Sequence, residues 1–111
     1  MPDNTVGNFT NAIDKENTTI LVSLNIANSR YSEDLEELRQ LAISDKLIIL
    51  AEVTSKHHKP NPATYAGKGK VDEIAKILKQ TGAQLVIFNN NLSPIQQRNL
   101  GMYLNCRVID R

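Results

Sequence analysis

The sequence predicts an α/β domain with a four-stranded, mostly parallel sheet. Short apolar runs rich in β-branched residues alternate with segments whose apolar residues have helical spacing, which gives the order β-α-β-α-β-α-β. Parallel neighbours need right-handed crossovers, so we expect helices on both faces of the sheet. We favour the strand order 2-1-3-4, in which ligands bind in the crevice outside the carboxyl ends of the strands.

The first half of the chain supplies two of the strands and one helix. The run TTILVSLNIA (18–27) predicts a strand, and KLIILAEV (46–53) predicts a second one that is buried on both faces. The helix predicted between them has Ser32 as its N-cap and acids in its first turn. Its buried stripe is expected to comprise Leu35, Leu38, Leu41 and Ala42.

The second half continues the alternation. A helix is predicted from Lys70 to a stop at Gly82, with Val71, Ile74, Ala75, Ile77 and Leu78 at helical spacing. Strands follow at 83–88 and 106–110. The helix between these two strands has a capping box, in which Ser93 is the cap, Pro94 takes the first helical position and Gln96 completes the box. We expect its buried side to comprise Ile95, Leu100, Met102, Tyr103 and Leu104.

Composition and charge narrow the classes of function. Residues 1–17 lack a clear period and are expected to form a loose N-terminus, which leaves 18–111 as a single domain. No apolar run is long enough to cross a bilayer, and no signal sequence is present, so a cytoplasmic location is expected. A single cysteine, Cys106, excludes an internal disulfide. The scarcity of aromatic residues argues against an aromatic platform for single-stranded nucleic acid.

The charge is divided unevenly along the chain. Through Thr54 the chain has four bases and nine acids, a net charge of −5, whereas from Ser55 onward it has nine bases and three acids, a net charge of +6. A polyanionic partner is therefore expected to bind surface that the second half builds.

The stretch HHKPNPATYAGKGK (57–70) contains three lysines and no acid, and it follows the second predicted strand. Its GKGK end lacks the spacing and the hydroxyl of a phosphate-binding P-loop, but it lies just before a helix, whose free N–H groups attract anions. Two interpretations stay open, a flexible turn or a contact with an anion or an RNA phosphate. His57 and His58 are adjacent and have few other ligands to join, so no metal site is predicted.

No catalytic constellation is evident in the chain. The run Asn89, Asn90 and Asn91, at the end of the third predicted strand, forms a polar edge that could bind a ligand, although such runs are most often loops.

Two blocks of the sequence closely resemble the N-terminal domain of the HflX-type GTPases. HHKPNPATYAGKGKVDEI contains the pattern P-x-x-Y-x-G-x-G-K, and NLSPIQQRNL contains L-S-P-x-Q-Q-R-N-L. AQLVIF and CRVIDR add to the resemblance, which covers residues 18–111. It implies a domain that precedes a helical hairpin and a G domain, in proteins that bind the large ribosomal subunit and its rRNA and act in ribosome splitting, rescue or biogenesis.

The resemblance also implies roles for particular residues. GTP and Mg²⁺ are implied for the parent protein but not for this stretch, which by itself is not expected to hydrolyse GTP and is expected to be a monomer or a weak dimer. The residues expected to contact RNA are Lys56, Lys59, Lys68, Lys70 and Arg98. The residues expected to shape the loop are Pro62, Tyr65, Gly67 and Gly69, with Gln97 beside the asparagine edge.

The sequence departs from the family pattern at one place, and two alternatives to the RNA-facing function stay open. The family usually has acidic residues where this chain has Asn89, Asn90 and Asn91, so any role that requires carboxylates at that edge is in doubt. The first alternative is a mononucleotide (ATP) site, formed by residues 67–70 and the asparagine edge. The second is a structural domain that positions the G domain.

Overall fold

The computed structural model describes residues 17–24, 31–55 and 59–111, and for residues 31–34 the backbone only. Most of the predicted N-terminal segment, the end of the first predicted strand, the side chain of Ser32, and Lys56, His57 and His58 lie outside this description. Four strands and three helices are present: β1 (Thr18–Leu24), α1 (Tyr31–Ser44), β2 (Ile48–Ser55), α2 (Lys68–Thr81), β3 (Leu85–Phe88), α3 (Pro94–Leu104) and β4 (Arg107–Asp110).

The predicted architecture is confirmed. The strands form one sheet in the order β2-β1-β3-β4, and every neighbouring pair is parallel. The helices cover both faces: α2 and α3 pack on one face, which carries Ile20, Val86 and Phe88, and α1 packs on the other, against Leu21 and Ile87. Each fully buried apolar side chain of this kind stabilises the fold by about 1.5–3 kcal/mol.

The prediction that the second strand is buried on both faces is wrong. β2 is an edge strand with β1 as its neighbour, and Ile48 and Leu50 are 37% and 39% exposed. The register between the two strands shifts where Leu50 has no partner in β1, which is a β-bulge. Bulges on edge strands hinder the pairing of that edge with other chains.

Two of the predicted helix faces also need correction. In α1, Leu38 and Ala42 are buried but Leu41 is 49% exposed. In α3, Leu100 and Leu104 are buried, whereas the other apolar residues predicted for this face are exposed: Ile95, Met102 and Tyr103, at 61%, 66% and 71%. The reason is that α3 presents a narrow side to the sheet, so only residues four positions apart reach the core.

A bidentate ion pair ties α1 to the edge strand. Arg39 donates to the Glu52 carboxylate through Nε at 2.6 Å and through Nη2 at 2.9 Å, and it also pairs with Glu36. The hydrogen bonds from Arg39 hold the pKa of Glu52 below its ordinary value, against the opposing effect of burial.

The helix ends follow the predicted chemistry. Ser93 accepts from the Gln96 N–H, and the Gln96 side chain accepts from the Ser93 N–H, so the capping box is confirmed. Gly82 ends α2 with a φ of 73°, as a left-handed C-cap that favours glycine.

Candidate nucleic-acid interface

The segment from Asn61 to Tyr65 forms a closed turn. The backbone N–H of each of these two residues donates to the carbonyl of the other at 2.8 Å. The Asn61 side-chain oxygen accepts from the N–H of Ala63 at 2.8 Å and of Thr64 at 3.3 Å. Pro62 lies at the second position of the turn, where its fixed φ is already suitable. The local sequence therefore specifies an ordered turn for these five residues.

Tyr65 anchors this turn in the protein core. It is 8% exposed and belongs to the hydrophobic cluster under α2 and α3. Its φ of 64° is left-handed, a conformation that non-glycine residues adopt only where the surrounding structure holds them. Burial raises the pKa of the Tyr65 hydroxyl, although a hydrogen bond with the Asn90 side chain acts in the opposite direction.

Two side-chain amides of α3 hold the turn from the other side. Gln96 Nε2 donates to the Asn61 carbonyl at 2.8 Å, and Asn99 Nδ2 donates to the Ala63 carbonyl at 2.9 Å. These residues are three positions apart, so they lie on the same side of the helix. The sequence pattern predicts only the capping-box role of Gln96, and it predicts no individual role for Asn99. The spacing of Gln96 and Asn99, two side-chain amides on the same side of one helix, was the feature of the sequence that could have indicated this contact.

The helix α2 begins earlier than predicted, at Lys68 rather than Lys70, so the GKGK sequence supplies its N-cap and the start of its first turn. Its N-cap is Gly67, which supplies no side-chain hydrogen bond, and the first turn contains no acid. The first N–H groups of a helix have no partner within the helix. A side chain at Gly67 or Gly69 would meet no atom within 4 Å, so the fold itself leaves open space there.

The predicted RNA-contact residues fall into two groups. The Lys70 ammonium donates to the Thr54 carbonyl and pairs with Glu73, both at 3.0 Å, so it joins α2 to the end of β2. In contrast, Lys59, Lys68 and Arg98 are exposed, and the described part of the chain contains no ion-pair partner for them. These three are therefore available to a partner, whereas Lys70 is engaged within the domain.

The polar edge at the strand ends is held by internal hydrogen bonds. Asn89 donates to the Ser23 hydroxyl at 3.2 Å and accepts from Arg111 at 3.0 Å. Asn90 accepts from the Leu24 N–H at 2.9 Å and donates to the Leu24 carbonyl at 2.8 Å. The Asn91 side chain is exposed.

Two further interactions brace the same end of the sheet. Arg111 pairs with Glu37 of α1, and its backbone N–H donates to the Phe88 carbonyl at 3.0 Å. Gln97, predicted beside the asparagine edge, instead donates to the Val108 carbonyl at 2.9 Å and so ties α3 to β4.

Within the described ranges, no group of three or more His, Cys, Asp or Glu side chains is arranged to hold a metal ion. The helices of the same ranges include none with the length and apolar character that crossing a membrane requires.

Comparison with known proteins decides the family. The family described as GTP-binding GTPase N-terminal matches residues 32–111, which is most of the chain. The chain belongs to this GTPase N-terminal domain family. Its relatives include GTPase HflX of Escherichia coli (strain K12), to which it is 40% identical over 92 residues, 83% of this chain and 22% of that protein.

Other relatives carry the same description. The chain is 38% identical over 88 residues to GTPase HflX of Alkalihalophilus pseudofirmus, covering 79% of this chain and 21% of the relative. It is 36% identical over 100 residues to GTPase HflX of Caldanaerobacter subterraneus subsp. tengcongensis, covering 90% of this chain and 23% of that relative. The chain therefore spans about a fifth of the length of these curated relatives.

The structure gives a physical reason why the two HflX-like blocks occur together. The first block contains the turn at 61–65, and the second contains the two amides, Gln96 and Asn99, that bind its carbonyls. Between them they fix the position of the turn relative to α3, next to the start of α2.

The structure also shows a consequence of having asparagine at position 90, where the family pattern usually has an acidic residue. An asparagine amide can both accept from and donate to the backbone of Leu24, whereas an ionised aspartate can only accept. In this member of the GTPase N-terminal family, the Asn90 side chain therefore binds both backbone groups of Leu24, the last residue of β1, just after β3 ends.

Proposed function

We propose that this chain is the RNA-facing N-terminal domain of a cytoplasmic HflX-like GTPase that associates with the large ribosomal subunit through rRNA. The role of the parent protein is ribosome splitting, rescue or biogenesis. The observation that carries the proposal is the turn at 61–65, which α3 holds beside the uncapped first turn of α2. This arrangement presents the exposed Lys68 and the free backbone N–H groups at the start of α2 beside an ordered turn.

The chemistry of this surface suits phosphate groups. Lys59, Lys68 and Arg98 can each neutralise a phosphate, and phosphate contacts of this kind require no base sequence. The open space at Gly67 and Gly69 allows a phosphate oxygen to approach the backbone N–H groups closely.

In this proposal the chain is a binding module, and GTP and Mg²⁺ belong to other parts of the parent GTPase. The relatives are named GTPases, and the present chain corresponds to about a fifth of their length. The GKGK sequence does not have the P-loop spacing and here supplies the N-cap and the start of the first turn of α2.

The mononucleotide alternative gains no support from the strand ends. The side chains of Asn89 and Asn90 are occupied by Ser23, Leu24 and Arg111, so an ATP molecule would have to displace these hydrogen bonds. Calorimetric titration of the chain with ATP and GTP tests this alternative, and clear ATP binding would favour it.

The main test is sedimentation of the chain with large ribosomal subunits at several salt concentrations. A double variant, Lys68→Ala with Arg98→Ala, removes two exposed cations of the proposed surface. The control, Lys76→Ala with Lys79→Ala, removes two exposed cations from the rest of α2, so the net charge is the same. Lys70 is left unchanged because it holds α2 to β2.

We expect the unchanged chain to bind the subunit in a salt-sensitive manner. Each lost phosphate contact lowers the slope of log affinity against log salt by about 0.7–0.9, so the first double variant should lose about twice that amount. The control should retain the original slope. Equal binding by the two double variants would show that the proposed surface is not the one that contacts RNA.

A further inference from the structure

A groove of about 290 Å³ lies between the start of α2, the turn at 61–65 and the last turns of α3. Its lining includes Asn61, Val71 and Tyr103, together with Lys68 and Asp72. Tyr103 is 71% exposed, which is unusual for a large ring next to a well-packed core. The sequence pattern assigned this ring to the core, so its position at the groove is a consequence of the tertiary structure.

The groove combines three different chemical groups. Lys68 and Asp72 are four positions apart on α2 and therefore lie on the same side of the helix. Both are exposed, and no ion pair involves either of them within the residues that the structure describes. A cation, an anionic acceptor and an aromatic face are thus available together along one groove.

We propose that this groove binds one unpaired nucleotide of an RNA strand. The base stacks on the ring of Tyr103, Lys68 contacts the phosphate, and Asp72 accepts hydrogen bonds from hydroxyl or amino groups of the nucleotide. Base stacking on an aromatic side chain is tolerant of sequence, and it requires a base that is not already stacked in a duplex. A single exposed ring is sufficient for one base, whereas a platform for several successive bases would need more aromatic residues than this sequence contains. This inference rests on the proposed RNA-facing function and names the form of RNA that the surface recognises.

The size of the groove favours a nucleotide within a strand over a free one. Sites that enclose free small molecules measure about 300–1,000 Å³ and bury most of the ligand surface. This groove is at the lower limit of that range and is bounded by exposed side chains. A strand gains further affinity from its neighbouring phosphates, for which Lys59 and Arg98 are available outside the groove.

Binding of a fluorescent single-stranded oligoadenylate, measured by anisotropy, tests the proposal on the 111-residue chain. The variants are Tyr103→Ala, Tyr103→Phe and Lys68→Ala. The control is Met102→Ala, which removes a neighbouring apolar side chain that is equally exposed on α3 but absent from this groove. A duplex RNA of the same length and free AMP serve as competing ligands.

We expect Tyr103→Ala to weaken single-strand binding about 5- to 150-fold, because stacking on one base is lost. Tyr103→Phe should bind within about twofold of the unchanged chain, because a phenyl ring also stacks on a base. Met102→Ala should have no effect, and Lys68→Ala should weaken binding and reduce its salt dependence. Duplex RNA should compete poorly.

Three results would overturn the proposal. The first is single-strand binding that is unchanged in Tyr103→Ala. The second is an equal loss in Met102→Ala and Tyr103→Ala, which would show that the oligonucleotide contacts the exposed apolar side of α3 in general and does not stack on the Tyr103 ring. The third is free AMP competing as well as the oligonucleotide, which would indicate a mononucleotide site. None of these results would decide the proposed function. The sedimentation test of the double variant, Lys68→Ala with Arg98→Ala, decides separately whether this surface binds the large ribosomal subunit.

Discussion

The side-chain amide of Gln96 is shared between two backbones: its oxygen accepts from the Ser93 N–H at 2.9 Å, and its nitrogen donates to the Asn61 carbonyl at 2.8 Å. One residue thus caps α3 and fixes the turn that lies beside α2. The consequence is that the two functions of this amide can be separated by substitution.

Replacement of Gln96 by glutamate should keep the cap and lose the turn contact. A carboxylate still accepts from Ser93, but it cannot donate to the Asn61 carbonyl. We expect the amide N–H groups of Thr64 and Tyr65 to exchange faster with solvent, and the free energy of unfolding to fall by about 1 kcal/mol. Gln96→Ala loses both contacts, so it should lower the free energy of unfolding by about 1–2 kcal/mol.

Urea denaturation and amide hydrogen exchange measure these effects. Gln84→Glu introduces the same change at an exposed position and serves as the control. Exchange of Thr64 and Tyr65 that is unaltered in Gln96→Glu would show that the amide does not hold the turn.

Asn90→Asp should destabilise the fold at neutral pH. The aspartate places an oxygen against the Leu24 carbonyl where the amide nitrogen now donates, which costs about 1–3 kcal/mol. The protonated acid can donate, so its pKa in the folded state should lie above the ordinary aspartate value of about 3.9. The loss of stability should therefore shrink as pH falls through that pKa.

Asn91→Asp is the matched control, because it adds the same charge at the adjacent, exposed position. Urea denaturation from about pH 7 down to pH 3 should separate the two variants at neutral pH and bring them together in acid. Equal stability of the two variants at neutral pH would contradict the assigned role of Asn90.

Replacement by alanine should have opposite effects on stability at two glycines, one in the first turn of α2 and one at its C-cap. Gly69 lies in the first turn of the helix with open space around it, so Gly69→Ala should raise the free energy of unfolding by about 0.5–1 kcal/mol. Gly82 has a left-handed φ of 73°, so Gly82→Ala should lower it by about 1 kcal/mol.

Binding adds a second readout to the Gly69 variant. If a phosphate approaches the backbone at the start of α2, the added methyl group should weaken sedimentation with the large ribosomal subunit although the fold is more stable. A more stable variant with unchanged binding would restrict the proposed contact to the side chains of Lys59, Lys68 and Arg98.

The pair between Arg39 and Glu52 should make stability depend on pH in the acidic range. The pKa of Glu52 is lowered in the folded state, so its contribution is present above the ordinary glutamate value and is lost as pH falls through the lowered one. Because both side chains are partly exposed, the contribution at neutral pH should be small and should weaken as salt is added.

Denaturation curves of the unchanged chain and of Glu52→Gln should therefore differ at neutral pH and converge in acid, once the pH has fallen below the lowered pKa of Glu52. Asp45→Asn removes an exposed acid that has no ion-pair partner in the described ranges, so its denaturation curve should match that of the unchanged chain at neutral pH. A difference between the unchanged chain and Glu52→Gln that persists in acid would exclude the ion pair as its source.

Local sequence alone determined the order of the elements and much of their chemistry. Alternating apolar runs and helical spacing were sufficient for the parallel sheet and its strand order, because crossover handedness leaves few arrangements. The capping box at Ser93 and the C-cap at Gly82 were equally predictable, since they depend on residues within one turn.

Only the tertiary structure decided which polar side chains are available to a partner. Lys68 and Lys70 are indistinguishable in the sequence, yet one is exposed and the other binds Thr54, which is distant along the chain. Tyr103 fits a core pattern but lies at a groove, because α3 packs through Leu100 and Leu104 alone. Contacts between remote segments depend on how elements pack, and periodicity within one element does not contain that information.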